Sequence, residues 1–407
     1  MIRHVFKLVW NRKRSTGLIL VEILICFLVL CGILGAGLDL ASRSQKPLGF
    51  EYEDVWSVEI SGMSFDSEGD QLAADRQAVH DLLNSVKSMP EVEAAAVSTN
   101  TPFSGSTWSE GTHINGKPES MLWTLASEDL SEVLRLQLVN GRWIEETDGA
   151  LAYRPVVLTR VLARGIFGTD DPVGQNIPVY DDEGNETEPE DDAEIYRVVG
   201  VTDEYRRRGM LTETGYAMFL AVDFANGESL PDEVLVRVRP GTPAAFEERL
   251  VRTMQSIAPR WSYDTTRLES KRRSLNMTLI MPMILAAVVA SFLIIMVGLG
   301  LVGVLWLSVT RRTAELGLRR AMGASEVSVR RQIVGELWAL TAIAVTVGAV
   351  IFLQLPLFGV NFEVGWSVFL GAVILATLVI YAFVTFCGLY PAWLATRVQP
   401  ATALQYE

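Results

Sequence analysis

Cysteine and histidine are scarce in this sequence of 407 residues, which contains three of each. The cysteines, Cys26, Cys31 and Cys387, all lie inside long hydrophobic runs, so the polar part of the chain has none. A disulfide framework is therefore excluded there, and that part must be stabilised by a hydrophobic core of its own. The histidines are far apart, without the spacing of a metal site and without a neighbouring Ser or Cys nucleophile. The sequence thus predicts neither a metal site nor a catalytic site.

An intact phosphate-binding loop is missing as well. Residues 111–117 match most of the P-loop pattern, but Pro118 stands where that pattern needs the Ser or Thr that holds magnesium. Asn115-Gly116 between alternating residues predicts a β-hairpin instead. We therefore expect no cofactor to bind this chain.

One stretch matches the sequence pattern of a dinucleotide-binding fingerprint but lacks the structural context of that motif. Three glycines have the G-x-G-x-x-G spacing, but they lie within a hydrophobic run and follow no βα turn. Small residues at such a spacing let helices approach closely in a membrane. We therefore predict a helix-packing surface or a dimer interface at Gly298, Gly300 and Gly303.

Charge is distributed unevenly along the chain. The net charge is −13, but residues 41–275 carry −18 and the remaining residues carry +5. With 49% hydrophobic residues and a mean hydropathy of +0.26, the composition is that of a membrane protein with a large soluble part. The acidic and the basic parts are predicted to face different compartments, and we expect no nucleic-acid partner.

Four hydrophobic runs are each long enough to cross a bilayer, which takes about 20 residues. The predicted transmembrane helices are residues 18–40, 276–308, 333–355 and 366–389. The second run is longer than a bilayer needs, so its helix should extend outward as a stalk, with a break near Pro282.

The basic residues predict the orientation of these spans. Residues 1–17 contain five Lys or Arg and no acid, which is typical of an amphipathic helix on the inner surface of a membrane. Residues 309–332 and the tail 390–407 are then cytoplasmic, and residues 41–275 are external. The basic cluster 271–273 lies on the external side, against the usual charge rule, but long domains translocate largely regardless of charge.

The external segment predicts an α+β domain. Residues 50–104 and 231–268 each have a strand, helix, strand pattern, which indicates two β-α-β halves. Between them, residues 105–230 are rich in strand and turn signals, which indicates an inserted β-rich subdomain. The predicted fold class is therefore an α+β membrane protein, with four transmembrane helices and a large external domain between the first two.

Two acidic features have competing interpretations. Glu22 lies inside the first span, about one turn from its cytoplasmic end, where it either pairs with a basic neighbour at the surface or contacts a partner helix. Residues 181–194 contain nine acids. Like-charge repulsion favours a solvated loop over a calcium site there, because the EF-hand spacing is absent.

The cytoplasmic loop between the second and third spans is densely charged. From Thr310 to Ala324 it reads TRRTAELGLRRAMGA, with an apolar and a charged face. Glu315 precedes Arg319 by four residues, the orientation that favours an ion pair on a helix. Gly317 would cost a helix ~1 kcal/mol relative to Ala, which suggests that a partner approaches the backbone closely. We predict a short amphipathic helix that ends at Gly323.

Charge alone would fit an ordinary positive-inside loop. The order of its residues, however, closely resembles the cytoplasmic loop of ABC-transporter permeases of the MacB/FtsX type. The tail resembles that family's ending, with Pro391-Ala392 and a later Pro400 before Ala403-Leu404. In the family this loop is the coupling helix that docks on a cytoplasmic ATPase. The resemblance thus implies seven coupling residues: Arg311, Arg312, Glu315, Gly317, Arg319, Arg320 and Gly323.

The same resemblance implies an inner-membrane permease that passes ATP-driven motion to its periplasmic domain. It implies export of drugs, peptides or other periplasmic cargo, while lipoprotein release and cell-division-type control of cell-wall hydrolases stay open. The implied partners are the ATPase, a second permease copy in a homodimer or heterodimer, membrane lipid, and a periplasmic adaptor with an outer-membrane duct. Glu22 is the one acid inside the apolar runs themselves, because Asp39 and Glu336 lie at the ends of the predicted spans. This leaves little to line a polar pathway, in keeping with this mechanism.

MacB itself carries its ATPase ahead of the first span, whereas here about seventeen residues precede it. We therefore expect ATP and magnesium to bind a separate polypeptide, and this chain not to be an enzyme. Two other classes are less well supported. A membrane sensor would need a larger cytoplasmic signalling part, and an integral-membrane enzyme would need paired acids or an activated nucleophile within the spans.

Overall fold

The computed structural model describes residues 13–63, 69–105, 107–114, 117–180, 185–187, 194–212, 215–225, 230–311, 322, 325–355 and 365–396. The chain divides into two compact units. We call Met1–Ser42 with Ile280–Glu407 the helical unit, and Arg43–Leu279 the soluble unit.

Eight α-helices lie within the described residues. They are α1 (Lys13–Ser44), α2 (Gly69–Lys87), α3 (Leu130–Leu134), α4 (Arg160–Phe167), α5 (Phe246–Ile257), α6 (Leu268–Arg311), α7 (Glu326–Gln354) and α8 (Trp366–Thr396). Parts of α1, α6, α7 and α8 are long and apolar enough to cross a membrane: Ile19–Ser44, Leu268–Leu307, Glu326–Gln354 and Trp366–Pro391. Together with the mixed α/β soluble unit between the first two, they confirm the predicted fold class.

Helix α6 differs from the prediction in two ways. It begins at Leu268, eight residues before the predicted stalk, and it continues through Pro282 without interruption. The expected break is therefore wrong. A proline removes one backbone hydrogen bond, which a long apolar helix tolerates when the turns on both sides are intact.

The four long helices pack through small and apolar side chains. Phe27 of α1 and Leu301 of α6 are fully buried, as are Ala372 and Ala376 of α8. Ala376 and Ala372 are four residues apart, so they lie on one face and let a neighbouring helix approach closely. The predicted helix at residues 1–17 lies mostly outside the described residues.

The described residues of the soluble unit contain twelve strands. They are β1 (Val55–Ser61), β2 (Val92–Ser98), β3 (Ser109–Ile114), β4 (Lys117–Ala126), β5 (Leu138–Gly141), β6 (Arg154–Thr159), β7 (Val179–Tyr180), β8 (Glu186–Thr187), β9 (Tyr196–Thr202), β10 (Ala217–Ala221), β11 (Glu233–Val238) and β12 (Ser262–Arg267). Ten of them form one sheet in the order β12-β1-β11-β2-β4-β10-β6-β9-β5, with β3 paired to β4.

The two β-α-β segments occupy one end of this sheet. They are β1-α2-β2 and β11-α5-β12, and their four strands are neighbours with antiparallel pairing. The predicted insertion supplies the other strands. The two parts meet at β2 and β4 through one register pair, Ser98 with Ala126. One sheet therefore runs through both parts of the soluble unit.

The insertion contains both kinds of strand pairing. Ile114 pairs with Lys117, which confirms the hairpin predicted between β3 and β4. Strand β6 pairs with β9 in parallel, and helix α4 lies between them in sequence, as a parallel connection requires. The acidic run 181–194 lies largely outside the described residues.

The end of the sheet made by the β-α-β segments has a separate core on each face. Along β11, Val234 and Val236 contribute to the core that helices α2 and α5 cover. Glu233, Leu235 and Arg237 alternate with them and therefore point to the opposite face. Leu235 belongs to the core on that face, which also contains Leu268, the first residue of helix α6.

Candidate functional site

The coupling residues predicted from the loop sequence lie almost entirely outside the described residues. Arg311 is the last residue of helix α6. The other six, Arg312, Glu315, Gly317, Arg319, Arg320 and Gly323, are outside the described ranges. Their contact with an ATPase stays a prediction. The described part of the chain instead shows how helix α6 is attached to the soluble unit.

The first two turns of helix α6 lie against the soluble unit. Leu268, Lys271, Arg272 and Leu275 have the i, i+3, i+4, i+7 spacing that places side chains on one helical face. Leu268 is fully buried, and Leu275 packs against the same core. This face therefore belongs to the fold of the soluble unit, although its helix continues into a candidate span.

Lys271 ends in a buried polar cluster. Its Nζ forms an ion pair with the carboxylate of Glu233 and donates a hydrogen bond of 2.8 Å to Ser57 Oγ. The hydroxyls of Ser57 and Thr101 also donate to the Glu233 carboxylate. We call these four residues the stalk anchor.

The stalk anchor is withdrawn from water. The side chain of Glu233 is 7% exposed and that of Lys271 is 17% exposed. Burying such a pair has a large desolvation cost, which is offset only when the geometry is good and the remaining hydrogen-bonding capacity is used. Here three donors surround one carboxylate, so its charge is well compensated. Burial raises the pKa of the adjacent Asp232, and the nearby charges of Glu233 and Glu59 act in the same direction.

Arg272 makes a second attachment beside the anchor. Its guanidinium donates a hydrogen bond to Tyr52 Oη and lies 4.7 Å from the centre of the Tyr52 ring. Tyr52 in turn contacts the ring of Phe103 edge-on, with 5.7 Å between ring centres. Two members of the basic cluster 271–273 thus have specific partners in the soluble unit. These contacts give Lys271 and Arg272 a structural role that is independent of the orientation of the spans.

The C-terminal end of helix α1 is attached to the soluble unit by another buried cation. Arg206 is 1% exposed. Its guanidinium donates to the carbonyls of Arg43 (2.9 Å), Lys46 (3.4 Å) and Thr212. The last carbonyls of a helix have no partner within the helix and carry partial negative charge. Arg206 therefore caps α1 with a charge of the favourable sign.

The chain just after α1 lies very close to residue 204. Gly49 has a φ of +83°, and a Cβ added there would lie 1.7 Å from the Glu204 carbonyl oxygen. No other residue fits without a shift of the backbone. The neighbouring backbone bond, from Arg206 N to Leu48 O, measures 3.0 Å. The last residues of α1 and the first turns of α6 thus both make specific contacts inside the soluble unit.

The helical unit places the predicted intramembrane residues as follows. A Cβ on Gly300 would lie 2.9 Å from a carboxylate oxygen of Glu22, and one on Gly298 would lie 2.9 Å from the Phe383 ring. A Cβ on Gly303 would meet nothing within 4 Å. The structure therefore brings Glu22 against α6 at Gly300, and α8 against α6 at Gly298. It leaves Gly303 on an open surface.

The residues of this site are structural in character. Within the described ranges no group of three or more His, Cys, Asp or Glu side chains could hold a metal ion. The anchors consist of a paired lysine, a capping arginine and apolar contacts. Such an arrangement fixes the last residues of α1 and the first two turns of α6 within the fold of the soluble unit.

Sequence reasoning missed the main residues of this site. The basic cluster at 271–273 was one clue, because its position goes against the charge rule in the predicted orientation of the spans. Glu233 is the first residue of strand β11. Its burial depends on which face of the sheet its side chain occupies, and the sequence does not show this. Arg206 lies among three consecutive arginines, and the sequence does not show which of them is buried.

Comparison with known proteins places this arrangement in a family. Residues 16–253 match the family model of the MacB-like periplasmic core domain, and residues 287–400 match that of the FtsX-like permease C-terminal domain. The chain is 27% identical over 288 residues to a "Probable export ATP-binding/permease protein" of Pseudomonas fluorescens, covering 67% of this chain. It is 26% identical over 293 residues to the macrolide export ATP-binding/permease protein MacB of Bdellovibrio bacteriovorus, covering 66% of this chain.

In both comparisons the match spans 41% of the relative's length. Among solved structures, the periplasmic region of MacB from Actinobacillus actinomycetemcomitans matches with a TM-score of 0.37 and 14% identity, covering 58% of this chain and 98% of that one. The two family models together cover most of the chain, and the first alone covers more than half of it. This chain therefore belongs to the family of permeases that join a MacB-like periplasmic core domain to an FtsX-like permease domain.

Proposed function

We propose that this chain is the membrane subunit of an ABC-type exporter, and that it passes the motion of a cytoplasmic ATPase to its periplasmic unit. The observation that carries the proposal is the uninterrupted helix α6, which is attached to the sheet by the stalk anchor and ends at Arg311, where the predicted coupling loop begins. Force applied at the loop would reach the sheet through one continuous element.

The length of α6 supports this role. Its 44 residues correspond to about 66 Å at 1.5 Å per residue, whereas the hydrocarbon core of a bilayer is about 30 Å thick. The helix is thus roughly twice as long as a membrane span requires. A continuous helix passes axial motion from one end to the other with little loss, because stretching it would break backbone hydrogen bonds.

The names of the two relatives support export as the function of the complex. Both are ATP-binding export permeases, and one is named for macrolide export. We infer export of a periplasmic cargo by the complex, with ATP and magnesium bound by the ATPase and with a second permease copy completing the assembly. A periplasmic adaptor and an outer-membrane duct would carry the cargo onward. Lipoprotein release and control of cell-wall hydrolases would use the same mechanical path.

The orientation that this function requires places the coupling loop and both ends of the chain in the cytoplasm. The three native cysteines are buried, so they give a low background for thiol labelling. A cysteine introduced by Ala324→Cys should resist a membrane-impermeant maleimide in intact cells and react after permeabilisation. Labelling in intact cells would contradict the orientation and the proposed function together.

The function itself is tested by the double variant Glu315→Ala with Arg319→Ala in the complex with its ATPase. We expect normal membrane insertion and ATP hydrolysis that no longer drives export, because the predicted ion pair of the coupling helix is lost. The chain alone should neither bind nor hydrolyse ATP. Undiminished export by the double variant would overturn the proposal.

A further inference from the structure

A large cleft lies in the inserted part of the soluble unit, and none of the stalk-anchor residues is among its lining residues within the described ranges. Its volume is about 1250 Å³, and it is bordered by strands β3 and β4 and by the short antiparallel pair β7–β8. Five of its lining residues are Glu110, Trp123, Tyr180, Glu194 and Tyr196. We call it the acidic–aromatic cleft. It exceeds the 300–1,000 Å³ typical of small-molecule sites, so it has room for a bulky ligand.

The floor of the cleft is apolar and aromatic. Met121 and Met218 are almost fully buried and belong to the core beneath it. Trp123 and Tyr196 form an edge-to-face pair, with 5.3 Å between ring centres and 85° between ring planes. Rings at right angles offer an electron-rich face in one direction and an edge in another. A cation placed over such a face is attracted by the ring quadrupole.

Glu110 supplies negative charge at the rim of this floor. It is directly opposite Met121 in the β3–β4 pair, and opposed residues of an antiparallel pair share one face of the sheet. Partial burial raises the pKa of Glu110 above its ordinary value. Across the described part of the chain, none of the ion pairs involves this carboxylate. A cationic ligand would compensate its charge.

Glu194 is arranged differently. It accepts hydrogen bonds from Arg154 (2.8 Å) and from Tyr196 Oη (2.9 Å), so its charge is already balanced. Burial, helped by the bond to Glu194, raises the pKa of Tyr196 to about 12. The phenol therefore keeps its proton at neutral pH, and its ring stays fixed against Trp123. Glu110 is therefore a carboxylate without an ion pair in the described ranges on the same face as Trp123, and Glu119 and Glu186 line the same cleft.

This combination favours one class of ligand. A neutral apolar molecule would leave the Glu110 carboxylate partly desolvated without a partner, and an anion would be repelled by it. A metal ion is disfavoured, because no cluster of metal-ligating side chains occurs in the ranges that the structure describes. We propose that the acidic–aromatic cleft binds a bulky amphipathic organic cation, with its charge between Glu110 and the Trp123–Tyr196 pair and its apolar body on the methionine floor. The proposed binding does not depend on the proposed function, whereas export of the bound cation rests on it.

Binding is tested with the purified full-length chain in lipid nanodiscs, by calorimetric titration with tetraphenylphosphonium and subtraction of the signal from empty nanodiscs. The neutral triphenylphosphine oxide has a similar apolar body and serves as the matched ligand. We expect saturable binding of one cation per chain, and at least tenfold weaker binding of the neutral compound.

Three variants locate the site. Glu110→Gln removes the charge with little change in shape, and Trp123→Leu removes the ring; each should weaken cation binding at least fivefold. Glu247→Gln makes the same charge change on the exposed surface of helix α5 and should leave binding unaltered. Thermal unfolding of each variant checks that it is folded. Equal binding by the wild type and Glu110→Gln, or equal binding of the charged and neutral compounds, would overturn the proposal.

Export is measured in a separate experiment, so that a failure of the proposed cation binding can be distinguished from a failure of the proposed export function. If Glu110→Gln abolishes binding and lowers cation export while the ATPase stays coupled, the cleft selects cargo. If binding is lost but export is unchanged, the link between the cleft and cargo is overturned. A loss of all export in the Glu315→Ala, Arg319→Ala variant reports on the proposed function alone.

Discussion

Lys271, in the first turn of a helix that continues into a membrane span, forms an ion pair with Glu233, the first residue of a buried strand of the sheet. Both side chains are largely withdrawn from water. Breaking such a pair would leave an unpaired buried charge, which is far less stable. The helix start and the sheet are therefore expected to move together.

Breaking the stalk anchor should destabilise the soluble unit. Lys271→Met leaves the Glu233 carboxylate buried without its cation, and we expect a loss of about 3 kcal/mol of unfolding free energy. Glu233→Gln keeps an acceptor for the hydroxyls of Ser57 and Thr101. The double variant should therefore lose less than the sum of the two single variants, as measured by thermal or denaturant unfolding.

The control for this cycle is Arg273→Met, which removes an exposed charge of the same cluster. It should change stability by less than about 0.5 kcal/mol. Additive losses in the double variant would show that Lys271 and Glu233 act independently, contrary to the structure. Loss of ATP-driven export in Lys271→Met at a temperature where it stays folded would support a mechanical role.

The cap on helix α1 offers a second test. Arg206→Lys keeps the positive charge but cannot direct several donors at the carbonyls of Arg43, Lys46 and Thr212. We expect a loss of about 1–3 kcal/mol in unfolding free energy. Arg208→Lys makes the same change two residues later at an exposed position, and it should be nearly neutral. Equal effects of the two variants would contradict the capping role.

Two glycines of helix α6 provide a matched pair in the helical unit. Gly298→Ala would bring a methyl group to 2.9 Å from the Phe383 ring and 3.5 Å from Cys387 Sγ. Such overpacking typically costs about 1–3 kcal/mol. Gly303→Ala has open space and should be neutral or slightly stabilising. Unfolding in increasing SDS measures both, and a larger loss at Gly303 would indicate that a second copy covers that position.

The pH dependence of stability should reveal the pair of Arg142 and Asp148. The Asp148 side chain is 3% exposed and accepts two bonds from the Arg142 guanidinium, at 2.8 and 2.5 Å. Burial by itself would raise the pKa of Asp148, but the bonds from Arg142 and from the Glu145 N–H outweigh it and hold the pKa below 3.8. The paired carboxylate therefore stabilises the fold above pH 3.8, and that stability is lost as pH falls through the lower folded-state pKa.

We expect Asp148→Asn to lower the unfolding free energy by roughly 1–2 kcal/mol at neutral pH, with a smaller difference from the wild type below about pH 4. Melting temperatures of the two proteins from pH 7 to pH 3 give the comparison. A difference that stays constant over that range would exclude an ionic contribution from this pair.

Periodicity predicted the long and regular elements well. The strand, helix, strand patterns predicted within residues 50–104 and 231–268 are present as β1-α2-β2 and β11-α5-β12. Both follow from local patterns of apolar residues, which every part of the chain carries within itself. The continuation of α6 through Pro282 was not predicted, because the local preference of proline against a helix was outweighed by the helix on either side.

The sequence by itself determined the four spans, the α+β domain between the first two and the family of the chain, because hydrophobic runs, alternation and a distinctive loop are properties of neighbouring residues. Tertiary structure alone decided that Lys271 meets Glu233, that Arg206 rather than Arg208 caps helix α1, and that Glu110 faces an aromatic floor. Lys271 and Glu233 are 38 positions apart in the sequence, and Arg206 and Arg43 are 163 positions apart. Which of several similar charges becomes buried depends on the face that the folded sheet or helix presents, and no local pattern encodes that choice.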